Sequence, residues 1–381
     1  MKRFLTSPVF RHFGKLVILL GLIGLGIDSC IEPFSPPEVS DSGDYLVVDG
    51  FLNVSGDTSI VKLGRTQNIN NDSVPYKESG AIVTVEAENG QQYLFSETET
   101  GVYALPPEAF DLSSKYRIHI RKSSGSQYVS DYVTVSNTPP IDSISYRFDR
   151  GRDAMIVYAN THDATGATRF YRWKYEETYQ YRAAHYSSIV RNADRSDFLA
   201  RNEDINLCWK TQESGDIKLG STIKLSQDIV KELPVNVIDA SSNKLYFGYS
   251  ILVKQYGLSR EAFEYWTQLA KTTQGTGSLF DPLPNQVTGN IKNEANNKEL
   301  IFGYFSAAVE QRQRIFIRDR YGRYPTCQAP DSITRKDALE SEAFLLGFYT
   351  TPTKSGILAS SEYCGDCRVQ GGTIKKPSFW K

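Results

Sequence analysis

From residue 45 to residue 135, apolar and polar positions alternate in short runs divided by turn residues, the period-2 pattern of strands. The runs are YLVVDGFL at 45–52, SIVKLGRT at 59–66, AIVTVEAENGQQYLFSE at 81–97, GVYALP at 101–106, KYRIHIRK at 115–122 and QYVSDYVTV at 127–135. Asn89-Gly90 splits the third run and predicts a tight hairpin, because the favoured two-residue turns need residues that accept positive φ. In 115–122, Tyr116, Ile118 and Ile120 alternate with Arg117, His119 and Arg121, giving one buried face and one wet face. About seven short strands in this stretch predict a β-sandwich of immunoglobulin-like or transthyretin-like type over 44–137. Thr138-Pro139-Pro140 marks its end.

Residues 138–381 predict a larger, still mostly β domain with one inserted helix. Strands are expected at 141–149, 153–161, 170–182, 217–225, 245–256, 300–309 and 313–319, with 183–205 polar and irregular. The 170–182 run (FYRWKYEETYQYR) puts Tyr171, Trp173, Tyr175, Tyr179 and Tyr181 on one face. Arg172, Lys174, Glu176, Thr178 and Gln180 fall on the other. The aromatic face, Tyr171, Trp173 and Tyr175 above all, reads either as the core side of a long strand or as a platform for a sugar or peptide, and strand aromatics favour the core. The helix is expected near 259–273, capped by Ser259, with Glu261 in its first turn and Gly275 shortly past its end. Leu258, Ala262, Trp266, Leu269 and Ala270 form its apolar stripe, which is expected to pack on the sheet of the second domain.

The N-terminus follows another pattern. Lys2, Arg3, Arg11 and Lys15 precede an apolar run, Leu16 to Ile27, which ends at Ser29-Cys30. That run is short of the roughly 20 residues that span a bilayer, and the order of basic, apolar and small residues is that of a secretory signal. The expectation is a lipoprotein signal over 1–29, lipidation at Cys30 and a Pro-rich tether over 30–43. Asp28 stands where such signals carry a small or apolar residue; an ordinary secreted protein or a signal anchor is the alternative.

Composition narrows the class. The 381 residues carry a formal charge of −1, which becomes −4 once the four basic residues and Asp28 of the signal are removed. Nucleic-acid binding would need a concentrated basic face and is not expected. Beyond Cys30 the cysteines are Cys208, Cys327, Cys364 and Cys367, an even number that in an exported chain reads as two disulfides with three possible pairings. A redox CxxC or a four-thiolate zinc site lacks the surrounding pattern each requires. No HExxH, nucleophile elbow or phosphate loop is present, and His119, His162 and His185 lie far apart. No cofactor, metal or enzymatic activity is expected, although a hydrolase whose groups converge only in space stays open.

Several segments together resemble the outer-membrane lipoproteins of Bacteroidota grouped as domain of unknown function 4249. They are Cys30 with its Pro-rich sequel, Tyr45-Leu-Val-Val-Asp-Gly50, Phe170-Tyr-Arg-Trp-Lys-Tyr-Glu-Glu177, Ser259–Trp266, Gly277-Ser-Leu-Phe-Asp-Pro282, Gly289-Asn-Ile291, Gly303-Tyr-Phe305, Cys364-Gly-Asp-Cys-Arg368 and Lys376-Pro-Ser-Phe-Trp380. The resemblance implies a lipid anchor in the outer membrane, exposure at the cell surface and a role beside a TonB-dependent transporter as accessory or ligand-capture partner. Only Glu32 supplies an acidic residue soon after Cys30. A stand-alone carbohydrate- or peptide-binding module is the alternative. The resemblance brings no catalytic residues with it.

Overall fold

A computed structural model describes residues 45–66, 76–273 and 289–380. The signal, Cys30 and the 30–43 tether lie outside the described residues, as do Gly275 and Gly277–Pro282.

The first eight strands follow the predicted runs: β1 (Leu46–Asn53), β2 (Ser59–Arg65), β3 (Ile82–Ala87), β4 (Gln92–Glu99), β5 (Val102–Leu105), β6 (Lys115–Arg121), β7 (Gln127–Ser130) and β8 (Val133–Ser136). The Asn89-Gly90 hairpin forms as expected: Gly90 takes φ 87°, and Ala87 N–H donates to Gln91 O at 2.8 Å. Along β6 the alternation holds, with Tyr116, Ile118 and Ile120 buried.

The next strands build a sandwich. One layer joins β9 (Ile141–Asp149), β10 (Ala154–His162) and β16 (Ile229–Asp239) in the order β16-β10-β9. The other is built on β11 (Phe170–Arg182), flanked by β14 (Leu207–Glu213), β15 (Lys218–Ser221) and β17 (Gly248–Gly257). Between them β12 (Ile189–Arg191) and β13 (Phe198–Ala200) form a hairpin within the stretch expected to be irregular. The pattern also hides β16. Pro234 interrupts it, Glu232 takes φ 48°, and the register slips beside both, which an edge strand tolerates because a missing N–H faces outward.

After β17 the helix runs Arg260–Thr273, with Ser259 Oγ accepting from Ala262 N–H at 3.1 Å. The chain then forms β18 (Ile291–Asn293), β19 (Ile301–Ala308) and β20 (Gln311–Ile317). β20 completes the β11 sheet, whereas β19 inserts into the first sheet, parallel to both β1 and β8. With β6 also pairing β8, the strands β6-β3-β4-β5-β2-β1-β19-β8 close into a barrel-like ring, and β7-β18 extend it as a flap. Its interior is filled by Leu46, Val48, Leu52, Val61, Val83, Val85, Tyr103, Ile118 and Phe305. The ring leaves few free backbone edges, a common β-protein defence against edge pairing.

Glycines make the β1–β19 contact possible. Gly303 has φ 142°, and a Cβ there would overlap the Val48 carbonyl; a Cβ on Gly289 would overlap the carbonyl of Gly303. Asn290 clamps the same corner, accepting from Phe305 N–H at 2.8 Å and donating to Phe305 O at 2.9 Å.

The tail adds β21 (Asp331–Ile333), β22 (Phe344–Thr350) and β23 (Ser355–Ser360) as a small sheet. The four cysteines pair Cys208–Cys367 and Cys327–Cys364, so the tail is stapled to β14 and to its own approach segment.

Candidate functional site

β11 is the strand that separates core from site, and its alternation does the separating. Tyr171 and Trp173 are completely buried and, with Tyr179 and Tyr181, pack against Met155, Val157 and Ala159 of the facing layer. Their polar atoms are satisfied there: Trp173 Nε1 donates to Gln255 Oε1 at 2.9 Å, and Tyr171 OH donates to Asp228 Oδ2 at 2.8 Å. Tyr175, half-buried, is the one member of that trio that reaches a cleft. Tyr171 and Trp173 therefore belong to the core side of the strand.

The opposite face of β11 carries Arg172, Lys174 and Glu176, and these line a cleft of about 600 Å³. Register sets their neighbours. Arg172 lies opposite Tyr256, Lys174 opposite Lys254, and Lys254 opposite Arg312, so three cations stand side by side across β11, β17 and β20. Like charges directly opposite destabilise a sheet unless something compensates them. The compensation comes from the barrel, whose β1 turns Val47, Asp49 and Phe51 outward while Leu46, Val48 and Leu52 fill its core. Lys174 Nζ donates to Asp49 Oδ2 at 3.3 Å and Arg312 pairs with Asp57, while in the reverse sense the barrel's Lys62 pairs with Glu213 of the sandwich at 3.0 Å. Glu176 is taken by Arg314 at 2.9 Å, and Glu310 accepts from Tyr256 OH at 2.7 Å.

The helix closes one side of the cleft. Its buried Ala262, Tyr265 and Trp266 pack with Leu258 and Tyr304, so it rests on β19 of the barrel as well as on the β11 sheet expected to receive it. Tyr265 and Tyr304 lie 5.2 Å apart between ring centroids, and Phe51 meets Tyr256 edge-on at 4.9 Å. The Arg172 guanidinium stacks on the indole of Trp266, its Cζ 3.4 Å from the ring centroid.

This environment shifts the charged groups. Burial works to raise the Asp49 pKa, but Lys174, Arg172 and Lys62 outweigh it and hold the carboxyl below its ordinary value. Burial lowers the Lys174 ammonium against the attraction of Asp49, with Arg172 adding repulsion. It also lowers Arg172, which stays a cation at neutral pH. Burial pushes the Tyr265 phenol up to about 12.

The histidines lie elsewhere: His119 by Glu86 at 2.9 Å, His162 on Asp142 at 2.8 Å, and His185 Nε2 against Gln328 O at 2.9 Å. Among the described residues no group of His, Cys, Asp or Glu is arranged to hold a metal ion. Asp49, Arg172, Lys174 and Trp266 all fall in segments that resemble the family, but no motif gave them a chemical role, and neither the alternation of β1 and β11 nor the helix stripe says that these faces will meet.

No curated protein matches the chain. Among solved structures, E. coli alpha-2-macroglobulin aligns at 10% identity over 58% of this chain and 14% of its own, with a TM-score of 0.18. The Yersinia pseudotuberculosis adhesin InvE aligns at 10% identity over 82% of this chain and 75% of its own, with a TM-score of 0.14. The chain thus spans about a seventh of the first of these proteins. A match of another order covers residues 31–314, from the barrel to the last strand of the cleft wall, and by it the chain belongs to the family described as Domain of unknown function (DUF4249).

Proposed function

We propose that the protein is a non-enzymatic, lipid-anchored ligand-capture partner of a TonB-dependent outer-membrane transporter, exposed at the cell surface. The observation that supports capture is the cleft between barrel and sandwich. Its volume is in the range of small-ligand sites, and it combines aromatic surface from Phe51, Tyr256 and Trp266 with convergent charged groups. Four of the segments that resemble the family meet around it: β1, the first half of β11, the helix start and the β19 glycine turn. Such a site recognises by shape and charge. Attachment through Cys30 would confine it near a transporter mouth, where the raised effective concentration lets weak contacts suffice. A diacyl anchor holds far more firmly than a single chain.

The test is a mild-detergent pull-down of the tagged, full-length protein from its native outer membrane. A TonB-dependent barrel recovered in near-equal amount is the expected result. Recovery of the protein alone, at several detergent strengths and after cross-linking, would remove the transporter from the reading. The aromatic surface of the cleft favours a second reading, in which the protein binds a carbohydrate or peptide without a barrel.

A further inference from the structure

Six carboxylates line the cleft wall and rim around Arg172, and each is already engaged: Asp49 by Lys174, Asp57 by Arg312, Glu176 by Arg314, Glu213 by Lys62, Asp216 by Lys218 and Glu310 by the Tyr256 hydroxyl. Arg172 is different. Among the described residues it makes no ion pair within 4.0 Å, and its buried Nε has no hydrogen-bond partner. The buried Nε1 of Trp266, a side chain only 7% exposed, is equally without one. Arg172 and Trp266 are both among the residues that line the cleft. A guanidinium stacked on an aromatic face keeps its in-plane donors free, and those donors match a planar, two-oxygen acceptor. An unfilled donor in a buried setting is costly, so two of them side by side mark a place where an acceptor belongs. Lys254 stands one diagonal step from Arg172 across β11 and β17, and it too has no ion pair among the described residues. Diagonal neighbours of this kind lie within reach of long side chains.

We propose that the inner end of the cleft binds a small carboxylate-bearing ligand, its carboxylate held by the Arg172 fork with the Trp266 N–H and the Lys254 ammonium beside it. The proposal rests on the capture reading and names the ligand class. A carboxylate is favoured over a spherical halide because the donors are a planar fork plus one N–H, and over a neutral sugar because two cations without a direct ion-pair partner face the site. The neighbouring aromatic surface of Tyr256 and Phe51 suits a ligand body with an apolar face. An acidic sugar and a peptide C-terminus share this chemistry.

Calorimetric titration separates the sources. One arm compares D-glucuronate oligosaccharides with the matching glucose oligosaccharides. The other compares a tetrapeptide bearing a free C-terminal carboxylate with its C-terminal amide. In one arm the acid should bind and the neutral partner should bind at least about tenfold more weakly, the size expected for charge-assisted hydrogen bonds. Arg172→Gln should weaken the acid by about tenfold or more, and Trp266→Phe, which keeps a ring but removes the donor, by a smaller factor. The neutral partner should be unaffected by Arg172→Gln. Equal binding of acid and neutral compound would overturn the carboxylate assignment while leaving ligand capture standing; failure of both acids to bind would also overturn it. Arg172→Lys, which keeps a cation beside the Trp266 ring but loses the planar fork, provides an independent check: it should keep the parent's cooperative melt and still weaken the acid, and parent-like affinity in it would overturn the fork assignment. Co-purification of a transporter tests the capture reading separately from all of these outcomes.

Discussion

Replacing Asp49 by Asn removes the carboxylate that the barrel supplies to the cation row of the sandwich. Asp49 Oδ2 is 3.3 Å from Lys174 Nζ, and at an effective dielectric of about 20 the gross attraction at that distance is ~5 kcal/mol. Most of this is offset. The two side chains remain 40% and 33% exposed, so water screens the pair, and each gives up hydration and rotamer freedom to form it. A net loss of about 1 kcal/mol is expected for Asp49→Asn, above the median for a surface pair because Arg172 and Lys62 also act on the same carboxylate. The assay is urea unfolding of the parent, Asp49→Asn, Lys174→Met and the double variant at low and high salt. The cycle should give a coupling energy of about 1 kcal/mol that shrinks with salt. The sign with pH also follows. A carboxyl whose folded pKa is depressed contributes stability that is fully present above its unfolded value near 3.9 and is lost as pH falls through the folded value. Parent and Asp49→Asn should therefore converge below about pH 4. Zero coupling at low salt, or an unchanged gap at pH 3, would refute the argument that the barrel neutralises the sandwich wall.

Three further outcomes are expected. Gly303→Ala should destabilise the protein by a few kcal/mol, because the residue holds a positive φ and its Cβ would overlap the Val48 carbonyl; an unchanged urea midpoint would contradict the β1–β19 packing. Non-reducing peptide mapping should recover Cys208 linked to Cys367 and Cys327 linked to Cys364, and Cys208→Ser with Cys367→Ser should cost on the order of 4 kcal/mol, since that bridge closes a loop of 159 residues. Cys30→Ala should release the protein from membranes and abolish signal cleavage at that site; unchanged membrane retention would show that another feature anchors it.

The local chemistry of the barrel and the sandwich was legible along the chain. Period-2 runs marked β1 to β11, Asn89-Gly90 marked a hairpin, and Ser259 with the following stripe marked the helix, because each depends on residues close in sequence. Where the pattern was silent, a local signal was broken or too short. Pro234 disguises β16 as an interruption, and β12 and β13 have three residues each, too few for an alternation to show. The even cysteine count implied two bridges but could not choose among three pairings, because that choice depends on where β14 sits relative to the tail.

The sequence by itself determined which side chains share a face: Tyr171 with Trp173 on one, Arg172 with Lys174 on the other. Alternation is a property of the backbone, and no partner is needed to establish it. Strand aromatics already favoured the Tyr171 face as core; the tertiary structure alone decided that the charged face would line a cleft. That choice was made by β19, which lies some 250 residues after β1, pairs parallel with it and brings the outward Asp49 over the cation row of β11, β17 and β20. A parallel pairing over such a distance leaves no mark on either segment beyond Gly50 and Gly303, whose missing side chains let the strands close together. Tertiary packing also leaves Arg172 Nε and Trp266 Nε1 without hydrogen-bond partners while it gives the neighbouring carboxylates other partners.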